Sequence, residues 1–347
     1  MKRVALCLGL ALLACAPPDP SNDSVDADQA CPVLVSDGQY LMGTVLEATV
    51  CAPDRVAGEA LLRELFDGVR ALEKSFTTFD PTSEVSVLNH SGGRGPQSVS
   101  APLLRLTADS IALSAVTRGS FDPTVGPLVA LWKAAGKSGK RPSPDALAAA
   151  RAKVGAARVT VDSARGTIAL EPAGVSLDFG GIAKGWALDR AVERLRAAGV
   201  ARALLSFGES SLASIGAPRG SEGWGVALGD TSGGFLGTVE LRDQSLSVSG
   251  ALGQYVEIDG KRYGHVLDPR SGEPLERARV AAVLAADGAR AEALSKALLI
   301  LGEKEGLALV ESLPDAEGLL RDEDGESFET SGWRAASRWS PDWPGHE

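Results

Sequence analysis

Histidine is scarce in this 347-residue chain, which has three in all (His90, His265 and His346). A zinc centre built from several imidazoles is thereby all but excluded. Clusters of lysine and arginine are absent as well, and the formal net charge is −10. Such a chain repels nucleic-acid phosphates, so no nucleic-acid partner is expected. There is no internal repeat, and nothing after residue 31 reads as a linker. With 44% hydrophobic residues, the chain has enough apolar content to build a real core.

Cysteine is also sparse, and the four present (Cys7, Cys15, Cys31 and Cys51) sort by position. A basic start, MKR, precedes the apolar run VALCLGLALL, which is too short to span a bilayer permanently and has the shape of a signal peptide. It closes on Leu12-Leu13-Ala14-Cys15, which resembles the lipobox of bacterial lipoproteins, cleaved before a cysteine that then carries lipid. The rival is a generic signal with a chance cysteine. The expected parts are a leader over 1–14, a lipid-anchored tether over 15–31 and a body over 32–340. Loss of the leader takes Lys2 and Arg3 with it and moves the net charge from −10 to −12. The Pro-, Asp- and Ser-rich tether has nothing to bury and reaches roughly 20 Å as a coil. This layout predicts a lipid-anchored, exported protein on the periplasmic side of a bacterial envelope. There Cys31 and Cys51 can pair, closing a loop of about 20 residues for roughly 3 kcal/mol, against a rival of two free thiols.

From Met42 onward the pattern becomes structural. GTVLEATVC alternates as a half-buried strand. A helix N-capped by Asp54 follows, with Leu62, Leu65, Phe66, Val69, Leu72 and Phe76 at helical spacing. FTTFDPTSEVSVLN reads as a turn-rich loop, and residues 101–118 as a second helix. FDPTVGPLVALW reads as an Asp-Pro turn ahead of an apolar run, and SPDALAAARAKVG opens a third helix. Strands RVTVD and TIALE come next, then a helix ending at Gly199 and the strand ARALLSFG. Several glycine-punctuated strands follow, then a helix pair over 289–313 split by Gly302 and a hairpin at Asp324-Gly325. Helices and strands mix without a regular βαβ period. This predicts one large α+β domain, with a two-lobed form left open.

Two stretches carry candidate chemistry. In SLDFGGIAKGWALD (176–189), Gly180 and Gly181 sit at the mouth of a helix, Asp178 stands just before them and Lys184 one turn in. Bare backbone, a helix N-terminus and a cation suit a phosphate or diphosphate. The plainer alternative is a tight strand-to-helix turn in which Lys184 pairs with Asp178. In YGHVLDPRSGEP, the Asp-Pro-X-Ser-Gly turn places His265, Asp268 and Arg270 on a shaped loop. Its alternative is an ordinary polar hairpin.

Four blocks occur in order: Met42-Gly43-Thr44, Phe121 to Leu128, Asp178 to Asp189, and His265 to Gly272. Together they resemble the ApbE family of FAD:protein FMN transferases, from about residue 40 to 330. The resemblance implies that FAD binds, that Mg2+ polarises its diphosphate, and that a threonine of a target flavoprotein from an electron-transfer system attacks the FMN-side phosphorus. AMP leaves and FMN stays as a phosphoester. It implies FAD contacts at Met42, Phe79, Ser120, Phe121, Asp122, Asp178, Lys184 and Leu267, with Phe79 where the family often has tyrosine. Gly181 and Glu292 match metal-ligand positions. His265 is the candidate base for the incoming hydroxyl, and Asp268 the catalytic-loop residue that, with Arg270, shapes its setting.

The chain departs from that pattern on a late helix. There the family carries Ala-Asp-Ala-Leu-Ser-Thr-Ala, and this sequence has Ala291-Glu-Ala-Leu-Ser-Lys-Ala297. Lys296 offers a metal no ligand and repels it. Helical spacing sets Leu294, Ala297, Leu298 and Leu301 on the buried face, so Glu292 and Lys296 pair either toward water or, following the resemblance, toward the site. The family's Gly-Gly-Asp is Gly208-Glu209-Ser210 here, and SGALGQY (249–255) is enlarged. These departures keep open a second function, an FAD-binding lipoprotein that transfers nothing.

Overall fold

Met42 and Gly43 both have positive φ (48° and 81°), the geometry of a tight hairpin turn, and they fold β1 (Val33–Leu41) back on β2 (Thr44–Ala52). The computed structural model describes residues 31–208, 210–229, 234–253 and 255–341. The expected leader over 1–14, the expected lipid site at Cys15 and the expected tether as far as residue 30 lie outside the described residues, as does Glu209. Cys31 and Cys51 stand side by side with Cα atoms 5.4 Å apart, a separation that suits a disulfide.

Helices α1 (Arg55–Phe76) and α2 (Glu84–His90) follow, then β3 (Gln97–Ser98) and α3 (Ala101–Val116). Next are α4 (Gly126–Ser138), α5 (Pro144–Arg151), β4 (Val159–Asp162) and β5 (Thr167–Leu170). Helix α6 (Ala183–Ala197) leads to β6 (Ala203–Phe207) and β7 (Ser211–Ile215). A hairpin of β8 (Trp224–Gly229) and β9 (Phe235–Leu241) precedes β10 (Ser245–Gly250), β11 (Tyr255–Ile258), β12 (Lys261–Gly264) and β13 (Val280–Ala285). The last elements are α7 (Gly288–Glu311), β14 (Ala316–Arg321), β15 (Ser327–Glu329) and α8 (Trp333–Ser337).

Eight strands form one sheet in the order β1-β2-β6-β7-β10-β13-β14-β15, and every adjacent pair is antiparallel. Its centre is covered on both faces. Ala203, Leu205 and Phe207 of β6 join the core under α1 and α6, whereas Leu204, between the first two, joins the core under the β8–β9 hairpin and α8. Such a strand reads as continuously apolar because neither face meets water. A third core lies where α7 covers β10, β13 and β14. A fourth, built on Leu128, Trp132, Ile258, Tyr263 and Leu267, joins α4 and α5 to the β11–β12 hairpin. The expected α+β architecture holds as a single mixed domain.

Several local expectations hold for the reasons given. Asp54 accepts the Ala57 N–H at 2.8 Å and caps α1, and the six apolar residues at helical spacing are all buried. Gly302, with φ 77°, breaks α7 where the helix pair was expected to divide. One helix falls in the stretch expected as a turn-rich loop, and another in the apolar run after the first Asp-Pro turn. In α2, β-branched Val85 and Val87 and four polar side chains hide the periodicity, but Ser83 caps it by accepting from Ser86 N–H at 3.2 Å. The apolar run after the Asp-Pro turn is α4, which starts at Gly126-Pro127 with proline in the first turn where its missing N–H does no harm. No helix among the described residues is long and apolar enough to cross a membrane.

Candidate active site

The mouth of α6 is built by neighbours that fix the 176–182 segment, whose last three residues turn into the helix. Asn89 of α2 clamps Leu177 from both sides: its Nδ2 donates to the Leu177 carbonyl at 2.9 Å, and its Oδ1 accepts the Leu177 N–H at 2.7 Å. Asp178 N–H donates to the Pro123 carbonyl at 2.8 Å, which lays the 121–127 loop alongside. The Asp178 carboxylate accepts the Gly180 N–H at 2.8 Å and so shapes the turn into the helix. No side chain caps α6 at Ile182. Phe121 forms one wall, since a Cβ added to Gly181 would stand 3.5 Å from its ring.

The expected contacts from Ser120 to Asp122 are largely turned inward. Ser120 Oγ donates to the Thr117 carbonyl at 2.7 Å. Asp122 Oδ1 accepts from the Thr124 N–H (2.8 Å) and hydroxyl (2.5 Å), and Oδ2 from Ser114 Oγ (3.2 Å) and Ala156 N–H (2.9 Å). Both side chains are buried and hold the loop, and the Phe121 ring between them is buried as well.

Lys184 does not pair with Asp178. Its ammonium donates to Ser210 Oγ in the turn between β6 and β7. Burial pushes the Lys184 ammonium down; Glu292 opposes that shift and Lys296 adds to it. Glu292 is completely buried, so the reading in which it faces water with Lys296 does not hold. Helix α7 is packed against the sheet on one side and against α6 on another, which leaves it more than one buried face. Glu292 Oε1 accepts from Gly185 N–H (3.1 Å) and Ser211 Oγ (2.5 Å), and Oε2 accepts from Lys296 Nζ (3.1 Å). Burial works against its charge, but Lys296, Lys184 and the Ser211 hydroxyl outweigh that and hold the carboxyl below its usual range.

The two helices cap each other. Glu292 of α7 takes an N–H from the first turn of α6, while Asp189 of α6 accepts from Gly288 N–H (2.6 Å) and Ala289 N–H (3.0 Å) at the start of α7. Asp189, Ser210, Ser211 and Asn89 were not picked out as site residues from the sequence. Asp189 closes the quoted motif and Ser210 sits in the departing Gly208-Glu209-Ser210 run; Asn89 and Ser211 carry no local signal.

His265 follows β12 on an exposed bend. The loop after it is stiff: Asp268 accepts two bonds from the Arg270 guanidinium and one from the Arg270 N–H, all at 2.9 Å. Leu267 bridges to Pro274, and Gly272 N–H donates to the Asp268 carbonyl at 2.7 Å. Trp132 of α4 donates its indole N–H to the Gly272 carbonyl at 2.9 Å, joining α4 to the end of the His265–Gly272 block 140 residues on. Asp268 is therefore a loop-shaping group, with both oxygens turned to Arg270.

Phe79 and Met42 lie on turns at the ends of α1 and β1. The Phe79 ring is 86% exposed, with Lys133 Nζ of α4 4.8 Å from its centroid. Met42 N–H donates to Glu73 Oε1 at 2.8 Å, which fixes its positive-φ turn. Thr44 packs on Gly208, beside Ser210.

The residues present do not fit a divalent metal. The Lys296 chain runs past Gly181, both oxygens of Glu292 already accept hydrogen bonds, and among the described residues no group of three or more His, Cys, Asp or Glu could hold an ion.

The family model described as "ApbE family" matches residues 42–320. An FAD:protein FMN transferase of Klebsiella pneumoniae is 29% identical over 312 residues, covering 88% of each chain. The apo form of Pseudomonas stutzeri flavinyl transferase ApbE is 30% identical with a TM-score of 0.77, covering 88% of this chain and 97% of that one. The ApbE protein of Thermotoga maritima is 26% identical with a TM-score of 0.80, covering 88% of this chain and all of that one (100%).

Proposed function

The chain belongs to the ApbE family, and we propose from this that it is an FAD:protein FMN transferase. The acceptor is a threonine hydroxyl of a partner flavoprotein. Its oxygen bonds to the FMN-side phosphorus of FAD, and the bond from that phosphorus to the bridging oxygen breaks. AMP leaves with that oxygen and its electron pair, and the hydroxyl proton passes to His265 and then to AMP or solvent.

The observation that supports this reading most is the corner at the mouth of α6. Gly180 and Gly181 leave the backbone bare beside Phe121, and Lys184 and Lys296 bring two ammoniums to it. Fixed charges aimed at phosphoryl oxygens are the main means of stabilising such a transfer. Phe79 and Met42 are the apolar contacts for the flavin side, with Leu267 on the loop that carries His265. Ser120, Asp122, Asp178 and Asp268 act by holding that surface in shape.

Incubation of the chain with FAD and a threonine-bearing target domain should leave covalent flavin fluorescence on the target in a denaturing gel, with one AMP released per label. FAD that is neither bound nor consumed would refute the reading. We extend the proposal to location: lipid at Cys15 and the tether behind it would hold the domain on the outer side of a bacterial membrane. Cys15→Ser should then move the chain out of the membrane fraction.

A further inference from the structure

The two positions matched to metal ligands are bridged by a lysine side chain. A Cβ placed on Gly181 would stand 3.7 Å from Lys296 Cε and 3.9 Å from its Cδ, and the Lys296 ammonium meets Glu292 Oε2 at 3.1 Å. The other Glu292 oxygen is held by Gly185 N–H and Ser211 Oγ. A divalent ion would have to strip an ammonium from a buried carboxylate and then sit beside it against like-charge repulsion.

We propose that Lys296 is this chain's built-in replacement for the ion: its ammonium, fixed by Glu292, meets the diphosphate of FAD directly, so FAD binds and FMN is transferred without a divalent metal. This deepens the transferase reading and rests on it.

The charge balance favours such a guest. Within the buried cluster, Lys184 and Lys296 set two positive charges against the single carboxylate of Glu292, while the Asp178 carboxylate beside them is turned to the Gly180 N–H. A diphosphate settling there offsets the repulsion between the two ammoniums and favours the charged form of Lys184, which burial otherwise disfavours. Lysine serves phosphate as a point charge with three donors, and one of those donors already fixes its direction on Glu292. A cation attached through its side chain is not removed by a chelator, and that property separates it from a bound metal.

The test titrates FAD into the purified chain in excess EDTA and again in excess Mg2+. Binding is read from flavin fluorescence and transfer from covalent flavin on a threonine-bearing target domain. Equal affinity and equal transfer in the two buffers are expected. Lys296→Met should weaken FAD binding in both by roughly 10- to 100-fold, the loss expected for one hydrogen bond to a charged group. Should that variant not fold, Glu292→Gln/Lys296→Met removes both charges of the Glu292–Lys296 pair together and takes the same measurement. Unchanged affinity in the variant, or binding and transfer that vanish in EDTA and return with Mg2+, overturns the inference while the transferase stands. Failure to bind FAD in either buffer overturns the transferase reading itself, and the inference with it.

Discussion

Gly185 and Gly288 touch backbone to backbone: a Cβ on Gly288 would stand 2.6 Å from the Gly185 carbonyl oxygen, and one on Gly185 would run into the Gly288 carbonyl. This contact lets α6 and α7 cross closely enough for Gly185 N–H to reach Glu292. An exposed helical glycine gains about 1 kcal/mol when changed to alanine. Here the sign reverses: Gly185→Ala should destabilise the fold by about 1–3 kcal/mol through overpacking, read by urea denaturation. It should also weaken FAD binding, because Glu292 and Lys296 are displaced together. A neutral or stabilising result would mean the helices have room to part.

Asp189 should make stability fall as pH rises. Burial pushes its carboxyl up to about 7, against the N–H groups of Gly288 and Ala289 that favour the charged form; Asp287 raises it further and Arg190 lowers it. A folded-state pKa above the unfolded one favours folding fully at pH below the ordinary carboxylate range, and that contribution is lost as pH climbs through about 7. At about 1.4 kcal/mol per pKa unit, the upper bound on the loss is about 4 kcal/mol. Denaturation should therefore need more urea at pH 5 than at pH 8, and Asp189→Asn, which mimics the protonated form, should flatten the difference. A slope of the opposite sign that Asp189→Asn abolishes would refute the assignment.

His265→Ala separates chemistry from binding. The imidazole is exposed at the start of a loop whose shape is set by Asp268, Arg270 and Trp132, so its removal disturbs little packing. Stability should stay within about 0.5 kcal/mol of the parent. Transfer should slow by roughly 100- to 10,000-fold, the range for losing a general base, while FAD affinity hardly changes. A transfer rate that survives would remove His265 from the mechanism.

The motif blocks were legible because each carries punctuation that local chemistry explains: Asp-Pro turns at 122–123 and 268–269, and Gly-Gly before a helix at 180–181. The first helix was legible because its apolar stripe faces one core. The facing of helix α7 was not, because the one-face rule fails for a helix pressed between a sheet and a second helix. Glu292 and Lys296 therefore seemed free to face water, yet Glu292 is sealed under Gly185 and Ser211. The hydrogen bonds from Asn89 to Leu177, 88 residues away, and from Ser211 to Glu292, 81 residues away, join residues that only the sheet order and helix crossing bring together. Nor could spacing show that Ser120 and Asp122 turn inward, since the partners of Asp122 include Ala156, far along the chain.

Glu292→Gln gives the sharpest view of the buried cluster. Loss of the carboxylate leaves Lys184 and Lys296 without their shared counter-charge, and removal of one partner of a buried ion pair destabilises by about 3–5 kcal/mol. The Glu292 carboxyl is held below its usual range, so its contribution is present at neutral pH and fades only as pH falls through that lowered value. The parent and the variant should accordingly differ most at pH 7 and converge in strong acid. Inorganic diphosphate supplies the missing negative charge from outside, so it should raise the melting temperature of Glu292→Gln by more than it raises that of the parent. Equal shifts in the two proteins would place the diphosphate away from the lysines, and the corner at α6 would lose its claim to be the phosphate site.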